Sequence, residues 1–179
     1  MSLLVATLIP GVILLLVGLP LLAANAGMIA ALKSMPRSQT ATWLFFGTGS
    51  AWFLYNIWHL SPADFGDYHL PLFVVFAFIA ALAFRCVPDF LAVRGLAILM
   101  LLAAMPLLMA GYMNFDHPQV YFQKALVYVG IVLAIWLGAQ PWRMRDFLQW
   151  LFARTERTRL VGGVLAAYGI LLTVVAFTY

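Results

Sequence analysis

No Asp, Glu, Lys or Arg occurs before Lys33, and the stretch LLVATLIPGVILLLVGLPLL at 3–22 is apolar almost throughout. A run of that length matches the hydrocarbon core of a bilayer, which about 20 helical residues cross. Similar runs recur along the chain, so that it is 65% hydrophobic and only 9% charged. A soluble fold of 179 residues would have too few polar side chains to cover its surface. Backbone groups in lipid must find partners within their own segment, which makes the runs helices. A barrel would alternate apolar and polar residues in short strands, and this sequence does not.

The expected fold is all-α: a single transmembrane domain of six helices over residues 1–179. The runs predict spans at about 3–24, 40–60, 70–84, 95–113, 120–140 and 160–177, with a continuation of the first to about 32 left open. Pro10, Pro20 and Pro106 lie inside spans one and four, where kinks are expected.

Basic residues set the orientation. Lys33 and Arg37 follow span one, Arg85 and Arg94 follow span three, and Arg143, Arg145, Arg154, Arg157 and Arg159 follow span five. Lys124, near the start of span five, is the exception. The positive-inside rule then makes the Arg-bearing loops cytoplasmic and places both termini outside, in a plasma (inner) membrane. Within 143–155, Met144, Phe147, Leu148, Leu151 and Phe152 recur at helical spacing opposite Arg143, Arg145, Asp146 and Gln149. That pattern predicts a cytoplasmic amphipathic helix lying on the membrane surface. The net charge of +4 is explained by these loops and by anionic lipid, and gives no reason to invoke nucleic acid.

LLAANA at 21–26 has the small-residue spacing of a cleavage site, but no positive residue precedes the apolar run, which is also longer than a signal core. Cys86 is the single cysteine, so no disulfide can form within the chain. The PLL at 20–22 and the PLL at 106–108 can be aligned, which raises an inverted repeat relating spans one and four. Spans two and five, and three and six, offer no matching agreement. No ionisable residue stands at mid-span, against an ion-coupled transporter or pump. Gly47 with Ala51, Ala77 with Ala81, and Gly162 with Ala166 have the four-residue spacing of close helix packing.

Two groups of residues are candidates for a site. In the aromatic second span, Trp52, Tyr55 and Trp58 could line a cavity for a lipid, quinone or pigment, although interfacial Trp and lipid-facing rings are the better account of such a stripe, since a stripe alone does not define a concave pocket. In the outer loops stand His59, His69 and His117 with Asp64 and Asp67, side chains suited to a metal ion or to haem iron. Ser61, Pro62 and Asp64 also fit the start of a short helix ended by Gly66. There is no HExxH, Cys pair, CxxCH, GxSxG or phosphate-binding glycine loop, which weighs against an enzyme. The resulting expectation is a non-enzymatic membrane component: a subunit of a larger complex, self-associating or bound to other membrane subunits and to membrane lipids, or a small binding or transport protein for an apolar ligand. The alternative is a membrane redox or metal protein with its site at the outer surface.

Overall fold

The computed structural model describes residues 1–114 and 116–179, which fold into nine α-helices with short 3-10 and π segments and no strand among them. Helix α1 (Leu3–Leu22) runs without a break through Pro10 and Pro20. The continuation to residue 32 does not form. Ala24 takes a left-handed backbone at φ 51°, and the Asn25 side chain accepts the Met28 amide at 3.1 Å to start a separate helix, α2 (Ala26–Ser34). A short polar side chain there satisfies one of the amides that a new helix leaves orphaned.

The run 39–58 is α3 (Gln39–Thr42), a π turn (Trp43–Gly47) and α4 (Thr48–Trp58) in direct succession. Just after the turn the Thr48 hydroxyl donates back to the Leu44 carbonyl within it, competing with the backbone ladder. Helices α5 (His69–Cys86), α6 (Leu91–Ala110), α7 (Val120–Ala139), α8 (Trp142–Leu151) and α9 (Thr155–Ala176) complete the chain. Among the described residues, five helices are long and apolar enough to cross a membrane, namely α1, α5 with its leading turn, α6, α7 and α9. Their outward faces carry large apolar side chains such as Leu16, Phe78, Val132 and Val164, each exposed. Such surface suits lipid rather than water, and fits an integral membrane protein.

Helices α1 and α9 lie antiparallel, with Gly11 opposite Gly169 and Gly18 opposite Gly162. Thr7, Gly11, Leu14, Gly18 and Leu21 on α1, and Gly162, Ala166, Gly169, Thr173 and Ala176 on α9, recur in alternating steps of four and three, and all but Leu14 and Thr173 are buried. That alternation keeps one stripe facing a partner helix along its whole length. A Cβ on Gly18 would stand 2.6 Å from the Ala166 nitrogen, and one on Gly162 would strike the backbone of Leu21 and Leu22. The expected Gly162 and Ala166 pair is therefore a packing site. Gly47, by contrast, meets little beyond its own helix, and Ala51 and Ala81 are exposed.

The second half of the fold turns on Gly95. Its missing side chain lets the π turn seat its Phe45 and Phe46 backbone directly against α6, while α7 packs along the same helix and α5 packs principally on α4. Rings fill the seam with α5. Trp43 stacks on Phe84 at 4.3 Å, Phe53 meets Phe76 edge-on at 5.2 Å, and Trp58 meets Phe73 at 5.4 Å. An inverted repeat would map the α1–α9 packing onto α6 and α5. Those two are not a principal packing pair, so the arrangement does not follow such symmetry.

Candidate functional site

The chain has two chemically distinct ends. Gln119 donates to the Thr178 hydroxyl at 3.1 Å and His117 lies edge-on to Tyr179 at 5.3 Å, so the link before α7 sits beside the C-terminus. The antiparallel α1 brings the N-terminus to the same end. At the opposite end, Lys33, Arg37 and Arg145 lie over the rings of Phe152, Phe90 and Phe90 respectively.

His59 and His69 are each engaged locally. His59 closes α4 with Nδ1 2.8 Å from the Tyr55 carbonyl oxygen, its ring 4.2 Å from that of Tyr55. His69 opens α5 with Nδ1 2.6 Å from the Gly66 carbonyl oxygen, its ring edge-on to Trp58 at 5.4 Å. A ring nitrogen facing a carbonyl must carry the proton and donate it. Asp64 accepts the Ser61 hydroxyl at 2.8 Å, and Asp67 is exposed in the next turn. Among the described residues, no three His, Cys, Asp or Glu side chains gather closely enough to hold a metal ion. His59, His69, His117, Asp64 and Asp67 therefore do not converge on one point.

The short helix expected after Ser61 is a single 3-10 turn, Pro62–Asp64, without a side-chain cap. Phe65, at φ 64°, rather than Gly66 carries the left-handed turn. Gly66 is needed for space, because a Cβ there would lie 2.6 Å from the Ser61 carbonyl oxygen.

Trp52, Tyr55 and Trp58 all stand on the exposed surface of α4. A cleft of about 270 Å³ does adjoin this helix, but Phe46, Ser50, Phe53, Phe76, Ile79 and Ile98 are among its walls and those three aromatics are not. The cleft opens between α4, α5 and α6. It is smaller than the roughly 300–1,000 Å³ of ordinary small-molecule pockets.

Two features had no counterpart in the sequence reading. Gln123 on α7 is fully buried, and its amide donates to the Leu107 carbonyl oxygen at 2.9 Å. That carbonyl is left over where α6 ends, since the Gly111 amide turns to Leu108, and a side chain from another helix caps it. The second is a cleft of about 540 Å³ at the basic end, lined by Lys33, Ser34, Arg37, Ser38, Phe90 and Arg145 among others. It joins α2, the turn after it, the start of α6, and α8. Phe90 reaches it from a left-handed backbone at φ 57°, a strained conformation for a bulky residue.

Helix α8 also differs from a simple two-faced surface helix. Leu148 and Leu151 are buried, whereas Trp142 and Trp150, and Phe147 at the edge of the buried face, are about half exposed. No protein-family model, curated protein or solved structure matches this chain.

Proposed function

We propose that the chain is a six-span, non-enzymatic membrane protein that serves as a subunit of a larger membrane assembly and presents its α4–α5 edge to another membrane-embedded chain. The observation that carries this reading is α5: none of its residues is buried within the chain. Apolar contact between helices gains little in lipid, where packing must come from close fit. A span fitted along one aromatic stripe leaves most of its surface for a partner. The shallow cleft beside it suits side chains from that partner better than a small ligand of its own, being under the usual volume range.

The sixth span is the run 39–58, which at 1.5 Å per residue extends about 30 Å, the thickness of the hydrocarbon core. The basic loops meet at one end of the fold, which supports a cytoplasmic placement of that end and an outward placement of both termini in a plasma (inner) membrane. In this setting α8 lies at the cytoplasmic surface, held to the protein by Leu148 and Leu151 and dipping Trp142, Phe147 and Trp150 toward lipid.

Two measurements test the proposal. Purified from its own membranes in a gentle detergent, the protein is expected to bring a second membrane chain, or a second copy, at fixed stoichiometry; recovery only as a 19.9 kDa monomer would contradict it. A visible absorption band or stoichiometric metal in the same preparation would favour the redox alternative instead. For sidedness, cysteines at Asp64 and Asp116 in a Cys86→Ser background should react with an impermeant thiol reagent in intact cells, and cysteines at Ser38 and Thr155 should not. Labelling at Ser38 would reverse the orientation.

A further inference from the structure

We infer that the cleft at the basic end binds the phosphate of an anionic phospholipid headgroup. The inference rests on the chain being embedded in a membrane, and is independent of the proposed partner and of sidedness. Three cations from separate elements line the cleft: Lys33 from α2, Arg37 from the turn after it, and Arg145 from α8. No carboxylate is among its described lining residues. Asp146 pairs with Arg145 at 2.9 Å, half exposed beside the cleft, and this compensates one of the three charges. An anion in the cleft would compensate the others.

The lining is organised to receive oxygen ligands. Both guanidiniums pack on one ring, with the Arg37 and Arg145 Cζ atoms 5.7 and 6.0 Å from the Phe90 centroid. A guanidinium over a ring keeps N–H groups free to donate, and Nη1 of Arg145 lies outside the bonds that its Nε and Nη2 make to Asp146. The Ser38 oxygen accepts the Ala41 amide at 3.3 Å, which leaves its own proton to donate, and Gln149 adds an amide. At about 540 Å³ the cleft has the volume of a binding site.

Its depth selects the source of the phosphate. Trp142 and Trp150 are exposed on α8, and Trp43 is exposed where the π turn begins, at the same end of the fold. Such residues settle at the headgroup level of a bilayer. A basic pocket between membrane helices at that level meets lipid phosphates first, with acyl chains left to run down the exposed apolar helices. Free phosphate offers the same oxygens without that anchorage.

The test uses the delipidated full-length protein in neutral detergent, titrated with phosphatidylglycerol, with phosphatidylcholine of the same acyl chains, or with inorganic phosphate alone, and bound lipid is counted by native mass spectrometry. Phosphatidylglycerol should bind on the order of thirtyfold more tightly than phosphatidylcholine, the preference that two uncompensated cations at the membrane surface would give. The Arg37→Gln, Arg145→Gln double variant should lose that preference. Arg154→Gln with Arg159→Gln, which removes equal charge at the same end outside the cleft, should keep it. Should the double variant fail to fold, the exposed Lys33→Gln variant replaces it and should weaken phosphatidylglycerol selectively. Equal binding of the two lipids, a preference that survives in the cleft variant, or inorganic phosphate displacing phosphatidylglycerol at millimolar concentration would each overturn the inference.

Discussion

Along α1–α9 side chains are missing where the helices cross, so backbone meets backbone; along α4–α5 large rings fill the gap between more distant helices. Gly11, Gly18, Gly162 and Gly169 form the first seam, and Trp43, Phe53, Trp58, Phe73, Phe76 and Phe84 form the second. In lipid, where hydrophobic burial between helices contributes little, stability depends on how many atoms come into close contact. The glycine seam has no slack and buries a continuous stripe. The ring seam leaves a cleft at its side and α5 uncovered. One half of the molecule is closed on itself, and the other is open.

The largest effect is expected from closing the space in the first seam. Gly162→Leu would drive a side chain into the backbone of Leu21 and Leu22, and should cost on the order of 3 kcal/mol or prevent folding, the upper range for overpacking. Denaturant unfolding in micelles measures it, and a near-neutral result would mean that α1 and α9 do not approach as described. An intermediate effect is expected from Phe84→Ala, which removes the ring that meets both Trp43 and Phe46. With lipid able to replace part of the contact, the loss should be about 1–2 kcal/mol, and a double-mutant cycle with Trp43→Ala should show coupling of about 0.5–1.5 kcal/mol. A cost equal to that of Gly162→Leu would erase the distinction between the seams. The smallest effect belongs to Gly47→Ala, where a Cβ meets nothing closer than 3.9 Å; stability should change by no more than about 0.5 kcal/mol.

These glycines also mark how far the sequence could be read. Runs free of charge give away helices that can cross a membrane, because lipid penalises each charge heavily. The spacing of Gly162 and Ala166 suggested close packing correctly, yet Gly47 with Ala51 has the same spacing and packs on nothing. Small residues permit approach without saying which helix approaches. The separate α2 followed from one cap residue, Asn25, inside an otherwise apolar stretch. The π turn depends on Gly95, forty-eight residues beyond Gly47 in the chain, and has no local signature.

The candidate sites were less legible. Histidine and aspartate types suggested metal chemistry, but a ligand set needs convergence in space, and His59 and His69 instead turn a ring nitrogen to their own helix ends. Trp52, Tyr55 and Trp58 share a face of α4, while the nearby cleft lies on another face. Lys33, Arg37 and Arg145 read in sequence as markers of topology. Only their meeting in one cleft, where Arg37 and Arg145 lie over Phe90 from a different loop, makes them a candidate site.

The contrast between a closed and an open half is tested most directly by photo-crosslinking in native membranes. Phe78 on α5 and Ile13 on α1 are 64% and 54% exposed, so a photo-reactive residue at either position has comparable access to its surroundings. The account predicts a discrete protein adduct of one mass from position 78 and only lipid adducts from position 13. Lipid adducts alone from both positions, or the same protein adduct from both, would contradict it.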